Sequence, residues 1–244
     1  MTDPRYNFRN EILDFNSDVN FSSDNGKTKG ALAPNEFWYF WRRFLPFDEL
    51  DYMPANELNQ KANLTGFRDE LNALANIFEK PFAMKAMIMN QNIPELAEQF
   101  DKFLFIWIRR DPIFNIQSAL EARQRQYGDI NAWYSFKIKE YPRLKDLNPL
   151  ESVARQISAI NLSVEQGIAA LPDNKKLVIQ YEDFCQRPEY YYNEITRRLA
   201  EQNNVNMELL PRYTGETGFF NTNNWRLVNY SLEEAIAMHK SITA

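Results

Sequence analysis

The sequence predicts an α/β fold in which a short, mostly parallel sheet is flanked by helices on both faces. Three observations carry this. Phe103 to Ile108 is a run of six apolar residues rich in aromatic and β-branched types, which reads as a buried strand of a parallel sheet. Lys176 to Tyr181, KLVIQY, is a second such run, and long helical-period segments lie between the two. Glycine is scarce, at 7 of 244 residues, which argues against an all-β fold with many tight turns.

Composition narrows the function classes. Hydrophobic residues make up 44% and charged residues 25%, which is ordinary for a globular chain of this length with a substantial core. The net charge of −5 does not advertise nucleic-acid binding, so any anion site must be a local basic cluster. A single cysteine, Cys185, excludes internal disulfides and fits a reducing, cytoplasmic location. Met1 to Glu11 is polar and lacks the apolar core of a signal peptide. No apolar run approaches the ~20 residues that span a bilayer.

Residues 1–33 read as a polar leader, and 34–244 as one α/β domain. Within the leader, NSDVNFSSDNGKTKG reads as loop. Its Gly26-Lys27-Thr28 superficially resembles a phosphate loop, but the preceding strand and the full spacing are missing, so it reads as a solvated turn. Pro34 and Glu36 mark a helix start running to Leu45. Asn56 to Phe78 has helical periodicity with an interruption at Thr65-Gly66. Pro81 opens PFAMKAMIM, an apolar run broken by Lys85, which is expected to be another strand of the sheet and brings the expected number to at least three. A short helix from Ile93 to Phe100 leads to the strand at Phe103.

After that strand the chain turns basic at Arg109 and Arg110. Asp111 is a good helix cap and Pro112 suits a first helical turn. Gly128 to Leu150 is a polar and aromatic connection expected to be mobile. Glu151 to Leu171 is a long amphipathic helix, and Asp173-Asn174 turns into the strand Lys176 to Tyr181. Pro188 to Glu201 is helical, Thr214 to Asn224 is a polar loop, and Ser231 with Glu234 forms a capping box for a last helix reaching Lys240.

The chemistry concentrates after the strand at Phe103. In open α/β sheets ligands bind at the carboxyl ends of strands, and helix starts favour anions. Arg110 sits at such a strand end, and Ser118, eight residues on, sits on the second turn of the following helix. Together they can grip one phosphate from two sides. An alternative reading is a strand–helix junction whose arginines face solvent.

The pattern Arg110-Asp111-Pro112 with Ser118 resembles the 3′-phosphate site of sulfotransferases that use 3′-phosphoadenosine 5′-phosphosulfate (PAPS). Ile179-Gln180-Tyr181-Glu182-Asp183-Phe184 resembles that family's strand ending in Tyr-Glu-Asp, whose tyrosine contacts the adenine. Lys85 resembles the family lysine that precedes the central strand and reaches the sulfuryl group. A lysine within an apolar strand also needs an anionic partner. Asn221 to Arg226 occupies the place of the family's last loop, where Arg226 is a candidate phosphate contact, although the Arg-Lys-Gly form of the cytosolic enzymes is not matched.

The position of the cytosolic enzymes' catalytic histidine is Met87, and the one histidine, His239, lies in the last helix. Glu36-Phe37-Trp38-Tyr39-Phe40 resembles the Glu-x-x-x-Phe pattern of glycan sulfotransferases, which makes Glu36 the candidate base. Glu36 is equally a first-turn glutamate favoured by the positive helix end.

The family's N-terminal strand and Gly-rich 5′-phosphosulfate loop cannot be read in this sequence, and the chain is expected to begin just after that unit. The resemblance implies a P-loop-type fold related to nucleotide kinases, and PAPS as co-substrate without a metal. The acceptor would be a hydroxyl compound, a carbohydrate or a small molecule. The alternatives are a catalytically impaired nucleotide-binding or interaction protein of the same fold and, more distantly, a P-loop kinase relative.

Overall fold

A computed structural model describes residues 20–24, 27–29 and 38–243. Two compact units make up the chain: Met1–Asp48 with Met53–Ile88, and Glu49–Tyr52 with Met89–Ala244.

In the first unit, β1 (Asn20–Asp24) and β2 (Lys27–Lys29) form an antiparallel hairpin where a loop is expected. Asn25-Gly26, the pair between them in sequence, is among the strongest short hairpin signals. Helix α1 (Trp38–Arg42) carries Trp41, buried and stacked on Phe67 at 4.9 Å between ring centroids. Phe67 belongs to α3 (Leu64–Phe78), which follows α2 (Ala55–Lys61). The break between α2 and α3 falls at Ala62-Asn63 rather than at Thr65-Gly66. The Asn63 side chain caps α3 by accepting from the Gly66 N–H at 3.0 Å, which puts Thr65 and Gly66 in the first turn. Arg43 and Glu70 form a two-pronged ion pair at 2.9 and 2.6 Å across the surface of the unit.

The strand expected at Pro81 is not formed. Residues 81–86 are irregular and Met87–Met89 is a single 3₁₀ turn. Proline has no N–H for a ladder, and an apolar run without a pairing strand gains nothing from extension. Pro81, Phe82, Ala83 and Lys85 are exposed. The expected burial of the Lys85 ammonium therefore does not occur.

In the second unit, β3 (Phe105–Arg109) and β4 (Lys176–Gln180) form a two-stranded parallel sheet in the register Phe105↔Lys176 to Arg109↔Gln180. Between them run α5 (Pro112–Tyr127), α6 (Tyr141–Leu144) and α7 (Pro149–Ala169). Among the described residues no third strand joins this sheet. Alternation along the strands sends side chains to both faces. Phe105 and Trp107 pack against Val164 and Ile168 of α7 and Ile93 of α4 (Ile93–Ala97). Leu177 and Ile179 pack against Tyr191, Phe184 and Ile195. Those three residues lie on α8 (Tyr181–Gln186) and α9 (Pro188–Asn203). Helices thus pack against both faces of a short parallel sheet, but β3 is not the buried strand expected. With one neighbouring strand among the described residues, Ile106 and Ile108 stay 41% and 63% exposed.

A core cluster joins α5, α7 and α10 (Leu232–Thr243), through Ile113, Ile116, Leu120, Leu150, Val153, Ala154 and Ala235. Gly167 allows the approach of α7 to α4, since a Cβ there would meet the Ile93 Cβ at 2.9 Å. Gly128 ends α5 at φ 69, a left-handed cap that glycine adopts without strain. The 128–150 connection expected to be mobile is anchored: Phe136 and Ile138 are buried, and Asp51 and Lys137 exchange hydrogen bonds at 2.7 and 2.8 Å. The capping box at Ser231 and Glu234 forms as expected, with bonds of 2.7 and 3.1 Å.

Candidate functional site

The site is built by the ends of β3 and β4. Register places Arg109 beside Gln180, so the next residues, Arg110 and Tyr181, leave the sheet side by side. The Arg110 guanidinium lies 5.1 Å from the Tyr181 ring centroid and 5.9 Å from that of Phe114. Cations over aromatic faces are held electrostatically at such distances. Asp111 caps α5 by accepting from the Ile113 N–H at 3.0 Å, and Pro112 fills the first turn. The helix therefore starts where its second turn brings Ser118 back to Arg110, with Nη1 at 3.4 Å from the Ser118 hydroxyl.

The loop before Trp225 closes over this arrangement. Arg110 Nε donates to Asn223 Oδ1 at 2.7 Å, and Nη2 donates to the Thr222 carbonyl and hydroxyl, both at 3.4 Å. The Tyr181 and Thr222 hydroxyls bond at 3.2 Å. Every one of these partners of Arg110 is a neutral oxygen, and among the described residues no carboxylate pairs with it. The guanidinium, a permanent cation, keeps its charge uncompensated at a half-buried strand end. A guanidinium with a hydroxyl beside it can be met by an oxyanion, a carboxylate or a phosphate alike.

Glu182 sets the loop's position without pairing directly with Arg110. Its Oε1 accepts from the Asp111 N–H at 3.0 Å and from Asn223 Nδ2 at 2.6 Å, and its Oε2 accepts from Gln180 at 2.6 Å. Burial pushes its carboxyl up, but the bonds from Asp111, Gln180, its own backbone and Asn223 outweigh this and hold it below its ordinary value. Asn223 therefore links the carboxylate to Arg110, with its carbonyl toward the cation and its amide nitrogen toward the anion. Asp183 turns elsewhere. It is held by Arg187 and by the Tyr191 hydroxyl at 2.6 Å, and the hydrogen bond from Arg187 is the main cause of its lowered pKa.

Gln117, fully buried, anchors the strap that follows. Its Nε2 donates to the Asn224 carbonyl at 2.8 Å and its Oε1 accepts from the Arg226 N–H at 2.5 Å. The Arg226 side chain lies beside the site, touching the Thr222 carbonyl at 3.4 Å. Its charge is paired with Glu121, through bonds of 3.1 and 3.0 Å.

Of the residues singled out by sequence, Arg110, Ser118 and Tyr181 are brought together, and Arg226 is adjacent but neutralised. Lys85 belongs to the first unit, where its carbonyl accepts from Trp41 Nε1 at 3.2 Å. Glu36 lies outside the described residues. Thr222, Asn223, Gln117 and Glu182 are the site residues that sequence reasoning did not select. The match of Asn221 to Arg226 to a covering loop pointed to the right segment but favoured its arginine over its neutral side chains. Among the described residues no group of three or more His, Cys, Asp or Glu side chains could hold a metal ion. No helix there is long and apolar enough to cross a membrane. No protein-family model, curated protein or solved structure matches the chain.

Proposed function

We propose that this chain is a PAPS-dependent sulfotransferase that moves a sulfuryl group to an acceptor hydroxyl on a carbohydrate or small molecule. The observation that carries the reading is the uncompensated Arg110 guanidinium between the Ser118 hydroxyl and the Tyr181 ring at the carboxyl end of a parallel sheet. Arg110 and Ser118 would hold the 3′-phosphate of the nucleotide, and Tyr181 its adenine. Arg226 would become a further phosphate contact only on leaving Glu121. In the reaction the acceptor oxygen attacks sulfur in line, and the bond from sulfur to the bridging phosphate oxygen breaks. 3′-Phosphoadenosine 5′-phosphate (PAP) leaves with that electron pair. By the resemblance alone, Lys85 would contact the sulfuryl or bridging oxygen and Glu36 would take the acceptor's proton. The finer fold assignment, a sulfotransferase and P-loop kinase-like sheet, belongs to the same proposal.

A second reading is a nucleotide-binding module without turnover. It is favoured by the distribution of the residues: Arg110, Ser118 and Tyr181 all lie in the second unit, whereas Lys85 lies in the first on an irregular, exposed stretch. Two measurements separate the readings. Calorimetry with PAP tests the site, and release of PAP from PAPS in the presence of a panel of hydroxyl acceptors tests turnover. Binding with turnover supports the enzyme, binding alone supports the module, and absence of both removes the nucleotide reading.

A further inference from the structure

Arg123 is a buried cation of the second unit that the proposed function leaves unused. It lies on α5, five residues beyond Ser118, which turns it about 140° around the helix away from the nucleotide site. It is 1% exposed, among the most deeply buried side chains described. Its Nη2 donates to the Ser152 hydroxyl at 3.1 Å and to Gln156 Oε1 at 3.4 Å. Its Nε is buried with no hydrogen-bond partner. Among the described residues no carboxylate forms an ion pair with it. Asp129 acts only through space, its carboxylate being engaged at 2.9 Å by the backbone and side chain of Asn131. Tyr230 also acts only through space, and the Trp133 ring centroid lies 5.5 Å from the guanidinium.

A buried cation in such surroundings is costly unless an anion accompanies it. The surroundings also supply more than one donor. The Nε–H is free, and the Ser152 hydroxyl, 0% exposed, accepts from Arg123 and so keeps its own proton to donate. Gln156 is fixed by donating to the Tyr134 carbonyl at 3.1 Å, so its carbonyl oxygen stays on the arginine. Burial pushes the Arg123 pKa down to about 10, which leaves it charged at neutral pH.

We propose that Arg123 Nε and the Ser152 hydroxyl form an internal site for a small monovalent anion of the halide class. The ion bridges α5 to α7 beneath the 129–136 connection. It neutralises the guanidinium and thereby ties two core helices to the segment that carries Trp133. The site is independent of nucleotide binding, so failure of either reading leaves the other standing.

Bromide replaces chloride and is located by its anomalous scattering. Crystals of the full chain grown in bromide are expected to show an anomalous peak in contact with Arg123 Nε. In solution, exchanging gluconate for bromide at constant ionic strength should raise Tm by on the order of 2–4 °C, through binding to the folded state alone. Ser152→Ala should weaken that shift, and Arg123→Gln should abolish it. The bromide map of the unmodified protein stands even if Arg123→Gln does not fold. Bromide confined to the surface, or a neutral water at Nε together with a Tm indifferent to the halide, overturns the proposal.

Discussion

Arg110 and Arg226 both touch the Thr222 carbonyl, at 3.4 Å in each case, yet they are electrostatically unlike. Arg226 is met by the two oxygens of Glu121, a fork-on-fork pair that satisfies its charge. Arg110 is met by an amide, two hydroxyls and a carbonyl, which satisfy its hydrogens without cancelling its charge. The difference shows how a basic loop should be read. The arginine able to receive an anion is the one whose neighbours are neutral, and proximity to the site does not distinguish the two.

Substitutions test that contrast directly. Arg110→Ala should weaken PAP binding roughly 100-fold, equivalent to about 3 kcal/mol for the loss of two charge-assisted contacts. Far-ultraviolet circular dichroism should be unchanged, because the side chain is only half-buried. An affinity within a few-fold of the unmodified chain would remove Arg110 from the site.

Next in size is Gln117→Leu, which removes both Gln117 bonds from the 224–226 strap, leaving the Arg226 N–H without that partner and the Asn224 carbonyl with the long 3.4 Å bond from the Arg226 side chain. It should cost about 2 kcal/mol in urea unfolding. It should also weaken PAP binding, because the loop over Arg110 loses its hold; unchanged unfolding would mean that the strap is held elsewhere.

Arg226→Ala should cost under about 1 kcal/mol of stability, as expected for an ion pair in which the arginine is 48% exposed, and should change PAP affinity by less than about threefold. If it matched Arg110→Ala in the binding experiment, the distinction between the two arginines would collapse.

The smallest effect concerns acidity. Glu182 titrates below its ordinary value of 4.5, so its contribution is complete above that value and is lost as pH falls through its lower, folded-state value. Trp225, beside the loop and donating to the Tyr230 carbonyl at 3.0 Å, offers a fluorescence signal for the loss. An acid transition in that signal below pH 4.5 should be present in the unmodified chain and absent in Glu182→Gln. A transition of the same midpoint in both proteins would assign the titration to another carboxylate.

What is legible in the sequence follows from how local its physics is. The strand at Phe105, the Asp111 cap and the meeting of Arg110 with Ser118 need only one strand–helix turn, so spacing suffices. The parallel partner at Lys176 is readable from its own apolar run. The Pro81 run shows the limit, because an apolar stretch becomes a strand only if another strand is there to pair with it. The hairpin at Asn20–Asp24 and Lys27–Lys29 shows the opposite error. A polar composition suggests a loop, yet Asn25-Gly26 is itself a turn signal between two pairing segments. Thr222 and Asn223 carry no periodic or compositional mark. They meet Arg110 only because Gln117 and Glu182, distant in sequence, hold the loop in place.

Whether Arg110 and Ser118 form a 3′-phosphate site is decided by calorimetric titration of the chain with PAP and with ADP, which differ in where the second phosphate sits. Saturable binding of PAP is expected to exceed that of ADP by at least about tenfold, one charge-assisted contact's worth, and to lose that preference in Arg110→Ala. Equal affinity for the two nucleotides, or binding of neither, would contradict that site.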